Sequence, residues 1–278
     1  MSLFPVHAKS DSTHQLRWLR LGQSLTLAIV LSFGPWVPLV SAQNRPKPPN
    51  QGTLVTKKGG ASRSCGDQRR VTALVPTEQI GNPDAIFPEQ ITGGFSDAGR
   101  PDFWFHVPYS GEELANLEFM VQDPANQNIY RLAIAPPAEA GLVKVALPET
   151  GPELEEGQRY RWFLKATVNC QLGEWVETTL QQENGWVERH RPETELAAQL
   201  AQASPQQQAQ LYGEAGYWFD AVNAIARLRQ AEPADPALQQ DWQGLLATYK
   251  LREDLAQADF VDCCEVTAIE AQPVVSEL

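Results

Sequence analysis

The chain has 278 residues, and its 22 Lys and Arg stand against 34 Asp and Glu for a formal net charge of −12. A surface this acidic repels phosphate backbones, so nucleic acid is not among the expected partners. The length allows one large domain or two small ones, at roughly 100–200 residues each.

The first 42 residues read as an export signal. Arg17 and Arg20 form a positive n-region, and Leu21 to Phe33 (LGQSLTLAIVLSF) is an apolar run too short to span a bilayer comfortably. Gly34 and Pro35 break it, and Val40-Ser41-Ala42 puts small residues where signal peptidase reads them, so cleavage is expected between Ala42 and Gln43. No cysteine follows the apolar run closely, which argues against a lipid-anchored product. The expected compartment is the periplasm or the extracellular space, with no transmembrane span in the mature chain. Removal of residues 1–42 leaves 19 basic against 33 acidic residues, a net charge of −14.

Residues 43–64 are rich in Pro, Gly, Ser and Lys and poor in apolar side chains, so they read as a flexible linker. Arg45, Lys47, Lys57, Lys58, Arg63, Arg69 and Arg70 make this arm basic against an acidic body. It could attach to an anionic surface such as a membrane leaflet or envelope polymer, or fold back on its own domain. All four cysteines, at 65, 170, 263 and 264, follow the signal, in a compartment where disulfides persist. A Cys65 to Cys170 bridge is expected, closing a loop worth about 4 kcal/mol on the chain-entropy model; four reduced thiols are the alternative.

From residue 65 to 191 apolar residues recur with period two between Gly, Pro, Asn and Asp breaks. Phe103, Phe105 and Val107 share a face, as do Leu117, Phe119 and Val121, then Tyr130, Leu132 and Ile134, then Val143, Val145 and Leu147. In the longest run Tyr160, Trp162, Leu164, Ala166, Val168 and Cys170 point one way and Arg159, Arg161, Lys165, Thr167 and Asn169 the other. Short alternating strands at this spacing predict an antiparallel sandwich. The stretch Leu154 to Tyr160 (LEEGQRY) resembles the tyrosine corner of immunoglobulin-like and fibronectin type III domains, which implies a fold and no activity. After Pro192 the period becomes helical over 192–256. Ser204-Pro205 with Gln207 and Asp235-Pro236 read as helix starts, Gly216 as a stop, and residues 257–278 as a tail. Gly216, Trp218, Ala221, Ile225 and Pro233 are spaced like one tetratricopeptide unit, which must pack on the sandwich or receive a partner because it cannot cover its own apolar face. The expected fold class is therefore α+β, an antiparallel Ig-like sandwich followed by a short helical bundle.

Chemistry-bearing patterns are sparse. The histidines beyond the signal are His106 and His190, and neither has a GxSxG or other nucleophile motif near it. CxxC, HxxxH and HExxH spacings do not occur, Asp-x-Asp runs are missing, and no metal or cofactor is expected. The pairs Glu112-Glu113 and Glu155-Glu156 read as solvated turns. Among the tryptophans, Trp162 and Trp218 are in phase with core residues, which leaves Trp104, Trp175 and Trp186 as a candidate ligand platform on which a sugar could stack.

Five stretches together resemble a known family: Cys65 with the VTALVP segment, Pro101 to Tyr109 (PDFWFHVPY), Tyr160-Arg161-Trp162, Gly185 to Arg189 (GWVER) and Leu211 to Ala221 (LYGEAGYWFDA). They are similar to the cyanobacterial domain-of-unknown-function family number nine-two-eight, over roughly residues 65–255. The resemblance implies an envelope or secreted location and carries no catalytic residues. The adjacent Cys263 and Cys264 depart from the family pattern. The function expected is that of a non-enzymatic interaction module binding a protein or peptide partner in the cell envelope. The alternatives are a carbohydrate-binding envelope accessory and, more distantly, a hydrolase whose site is assembled from scattered residues.

Overall fold

The computed structural model describes residues 69–80, 89–172, 174–261 and 263–269. The signal segment with Ala42 and Gln43, the basic linker and Cys65 lie outside the described residues. Among the described residues nine strands come first: β1 (Thr72–Ala73), β2 (Thr77–Ile80), β3 (Glu89–Ser96), β4 (Phe103–Val107), β5 (Leu114–Gln122), β6 (Asn128–Ile134), β7 (Gly141–Val145), β8 (Arg159–Leu172) and β9 (Trp175–Arg189). Four helices follow, α1 (Thr194–Gln202), α2 (Pro205–Ala215), α3 (Trp218–Ala231) and α4 (Pro236–Thr248), then a short 3₁₀ turn (Glu253–Ala256) and β10 (Val266–Ala268). The protein is therefore α+β, with a large β region ahead of its helices.

The strands form two sheets, one ordered β1-β4-β7 and the other β10-β6-β5-β8-β9-β3-β2. Period-two alternation decides which side chains meet between them. Phe103 and Phe105 of β4 point at the larger sheet, where the Phe103 ring lies 4.8 Å from Phe119 and the Phe105 ring 5.7 Å from Trp162. On β8, Tyr160, Trp162, Leu164, Ala166, Val168 and Cys170 are all buried. One pairing is parallel: β3 runs alongside the end of β9, from Gly93 opposite Trp186 to Ser96 opposite Arg189. At the start of β8 the Tyr160 hydroxyl accepts the Glu155 backbone N–H at 3.0 Å, tying the preceding loop to the strand.

The helices begin and end where local chemistry dictates. Ser204 Oγ accepts the Gln207 N–H at 3.3 Å while Gln207 Oε1 accepts the Ser204 N–H at 2.8 Å, a reciprocal cap for α2. Gly216 closes α2 at φ 86°, a left-handed conformation that a side chain would strain. Asp235 accepts the Ala237 N–H at 2.8 Å to start α4. The helix pair buries its apolar face inside the chain: the Phe219 ring lies 5.1 Å from Phe103, and Trp218 Nε1 donates to the Leu74 carbonyl at 2.6 Å. Trp218, Phe219, Val222, Ile225, Trp242 and Leu246 belong to the same core as the strands.

The stretch expected as a tail from residue 257 returns to the sheets as far as residue 269. Leu142 donates its N–H to Asp259 O at 2.7 Å and accepts from Val261 at 3.0 Å, so this segment covers the outer edge of β7. The Phe260 ring fills the space between Trp104, at 5.3 Å, and Trp242, at 5.4 Å. β10 then pairs antiparallel with β6, Val266 opposite Ile134. Between these contacts Cys263 and Cys264 are joined in a vicinal disulfide. Cys170 is also disulfide-bonded. Among the described residues no helix is long and apolar enough to cross a membrane.

Candidate functional site

The site begins with two glycines. Gly93 and Gly94 sit in β3, where a strand ordinarily favours side chains that pack, and each is required by a close approach. A Cβ on Gly93 would fall inside the Trp186 indole, and one on Gly94 would come within 2.9 Å of Trp218 Cβ. The bare backbone lets one indole from β9 and one from α3 lie on the same short stretch of strand. The result is a groove lined by these glycines with Pro76, Glu78, Ile91, Phe95, Trp186, Gly216, Trp218 and Tyr249, enclosing about 510 Å³ including its open mouth.

The groove's walls are fixed from behind. The Arg159 guanidinium stacks 4.3 Å over Trp186 and is itself held by Glu188 at 2.9 Å, both side chains being mostly buried. Phe95 meets Trp186 edge to face at 5.6 Å. Tyr249 packs 4.4 Å from Trp218 and donates its hydroxyl to the Gly213 carbonyl, which anchors the C-terminal end of α4 to α2. Trp186 is 8% exposed, yet its indole N–H has no acceptor among the described residues. Glu78 is exposed at the mouth.

Beside the groove lies a polar cluster at the end of β3. Asp220 Oδ2 of α3 accepts the Asp97 N–H at 3.0 Å. Burial pushes the Asp220 carboxyl up to about 6; hydrogen bonds from the Asp97 backbone and the Ser96 hydroxyl oppose this, and the nearby Asp97 carboxylate adds to it. Tyr212, whose hydroxyl donates to Asp97 at 3.5 Å, and Tyr217 are both raised to about 12, first by burial and then by these carboxylates. His190 stacks at 5.6 Å from Phe95 and 6.4 Å from Tyr217. The groove's aromatic rings, with an indole donor that has no acceptor among the described residues, can grip apolar groups and a carbonyl oxygen.

This groove lies within a known family. Residues 58–260, more than half of the chain, match the family Domain of Unknown Function (DUF928). The chain belongs to that family. No curated protein matches it. The DUF928 match takes in every residue lining the groove and stops at Phe260, short of the Cys263–Cys264 disulfide and β10.

In this DUF928 chain the three tryptophans expected as a platform are not brought together. Trp104 is 2% exposed beneath Phe260, so it has no ring face to offer. Trp175 is 79% exposed at the start of β9, and Trp186 lines the groove near the other end of the same strand. His106 is half-buried and held below its ordinary range, first by desolvation, against the pull of Asp254. Cys170 is buried in the core. Among the described residues no group of three or more His, Cys, Asp and Glu is placed to hold a metal ion. Sequence reading missed Gly93, Gly94, Phe95, Tyr249 and the Asp97–Asp220 pair. The Gly-Gly dipeptide inside a strand-like run was the available signal, because glycine there marks a close approach.

Proposed function

We propose that this chain is a non-enzymatic interaction module of the cell envelope, secreted or periplasmic, and that the groove between β3, β9 and α3 receives a protein or peptide partner. The observation that carries the reading is the Trp186 indole N–H, which lies in a ring-lined groove and has no acceptor among the described residues. A buried donor left unpaired costs about 1–3 kcal/mol, and a peptide carbonyl laid along the groove would recover it. Rings that grip apolar side chains and a single donor that fixes the backbone are the ordinary parts of a peptide-binding groove.

The scaffold we propose for it is an immunoglobulin-like sandwich. Three features support this: the split of strands into β1-β4-β7 and β6-β5-β8-β9-β3, the parallel pairing of an early strand with the last long one, and the Tyr160 bond back to its corner. A Cys65 to Cys170 bridge would pin the start of that sandwich to β8. The carbohydrate reading is weaker because Trp104 lies inside the core.

A photoreactive side chain placed at Glu78 in the exported chain tests the reading. Ultraviolet capture from envelope extract should give a protein or peptide adduct, and Trp186→Phe, which keeps a ring and deletes the donor, should reduce it about tenfold or more. A glycan adduct, or a protein adduct indifferent to Trp186→Phe, would overturn the proposal.

A further inference from the structure

The unclaimed feature of the sequence is Arg45-Pro46-Lys47-Pro48-Pro49, in the basic arm that lies outside the described residues. Proline fixes φ at about −65° and pushes the residue before it toward extended backbone. Pro46, Pro48 and Pro49 each act on themselves and on the residue before them, so every position from Arg45 to Pro49 is biased toward polyproline II. Such a segment has few N–H groups to give. It is poorly suited to joining a sheet and well suited to an aromatic-lined groove that reads its rings and carbonyls.

The groove between β3, β9 and α3 has the matching chemistry. It offers no ladder to an added strand on the floor of β3, where the Gly93 N–H donates to the Pro76 carbonyl at 3.1 Å and the Phe95 N–H to the Gly216 carbonyl at 3.4 Å. Its lining instead supplies the rings of Phe95, Trp186, Trp218 and Tyr249, and the Trp186 indole N–H has no acceptor among the described residues. Glu78 is the one charged residue of that lining, opposite in sign to Arg45 and Lys47.

The arm is also long enough. Gln181 Nε2 donates to the Arg69 carbonyl at 3.0 Å, and Gln181 precedes Trp186 by five residues on β9, about 17 Å. Twenty residues separate Pro49 from Arg69, and tethers of that length have an r.m.s. reach of about 25 Å. A Cys65 to Cys170 bridge would not prevent this. The sixteen residues from Pro49 to Cys65 extend to about 53 Å, whereas Glu177, opposite Cys170, is about 30 Å along β9 from Trp186.

Resting on the reading of the groove as a peptide site, we infer that its resident occupant is the chain's own Arg45–Pro49 segment, docked intramolecularly with its basic residues toward Glu78. The class of peptide the groove takes is then basic and proline-rich, and an incoming partner must displace the arm. A tether whose reach suits its span holds its ligand at an effective concentration in the mM range. Even a weak fit therefore keeps the segment in place, while a partner with the same motif and more contacts replaces it.

The test uses the purified chain with a photoreactive side chain at Asn50, beside the motif. Irradiation should give an intramolecular adduct on Pro76 to Glu78, Trp186 or Tyr249, with a yield independent of concentration. Pro46→Ala with Pro49→Ala should lower that yield by about tenfold, and Glu78→Lys by about threefold. An adduct elsewhere on the acidic surface, a yield indifferent to these substitutions, or an adduct between two chains that fades on dilution would overturn the inference. A second measurement separates it from the groove reading. With the photoreactive group at Glu78 in envelope extract, the Pro46→Ala, Pro49→Ala chain should capture partner about threefold better than the unaltered chain. Capture that depends on Trp186 but ignores the proline substitutions keeps the groove as a peptide site and removes the arm as its occupant. A groove adduct from Asn50 without any envelope capture supports the arm and removes the outside partner.

Discussion

The two ends of β9 share a strand, a partner in β8 and a twist, and differ in everything that covers them. At the far end Trp186 and Val187 are buried under β3, with Arg159 stacked on the indole and two glycines cut away to admit it. At the near end Trp175, Val176 and Leu180 face solvent. A tryptophan therefore means opposite things eleven residues apart: at 186 it is the wall of a built groove, at 175 it stands exposed at the start of the strand. Strand pairing with β8 makes the ladder continuous, and the third element laid on each end decides whether it is a scaffold or a surface.

Four substitutions grade this contrast. Trp218→Ala should have the largest effect, because it removes a fully buried ring that joins α3 to β3 and strands the Leu74 carbonyl. Thermal or urea unfolding should report a loss of about 3–5 kcal/mol. Gly94→Val should cost about 1–3 kcal/mol by pushing α3 away from the strand, and should release Tyr249 from its contact with Trp218, visible as increased tyrosine and tryptophan emission changes on the melt.

Asp220→Asn comes next and its effect depends on pH. The folded Asp220 carboxyl titrates near 6, above the ordinary aspartate value, so the native state holds the proton more tightly than the unfolded chain. Its neutral form supports the fold below about pH 4, and that support is lost as pH rises toward 6. Above that the charged form carries a constant penalty on the order of 3 kcal/mol. Asparagine keeps an acceptor for the Asp97 N–H and never ionises. Wild type and variant should therefore be alike near pH 4, and the variant should be the more stable at pH 7. Glu183, raised by burial to about 7 against the pull of Arg70, slopes the same way in both proteins and cancels in the difference. A variant less stable at pH 7 would show that the charged carboxylate is needed. Leu180→Ser, at the exposed end, should change monomer stability by less than about 0.5 kcal/mol, as measured by the same denaturant midpoint.

How far the sequence could be read follows from these same residues. The β8 alternation is legible because each inward residue meets the opposite sheet, and the α2 and α4 starts are legible because Ser204, Gln207 and Asp235 act on backbone within three residues of themselves. Trp104 lies on the face of β4 opposite Phe103 and Phe105 and was offered as a ligand platform. It was wrongly expected to reach solvent, because Phe260, more than 150 residues downstream in a segment read as a tail, lies on top of it. The groove escaped for a related reason. Gly93, Trp186 and Trp218 come from three distant parts of the chain, and no local pattern records that a glycine is empty because an indole from elsewhere fills its place. Local signals survive in sequence, whereas a cover delivered over long range does not.

The closing segment from Asp259 to Ile269 has a kinetic meaning. It completes the edge of β7, roofs Trp104 and adds the last strand beside β6. Its residues bond to strands that precede them by well over a hundred residues. Contacts that distant are slow to form. The outer edges of β6 and β7 therefore stay uncovered until this segment docks.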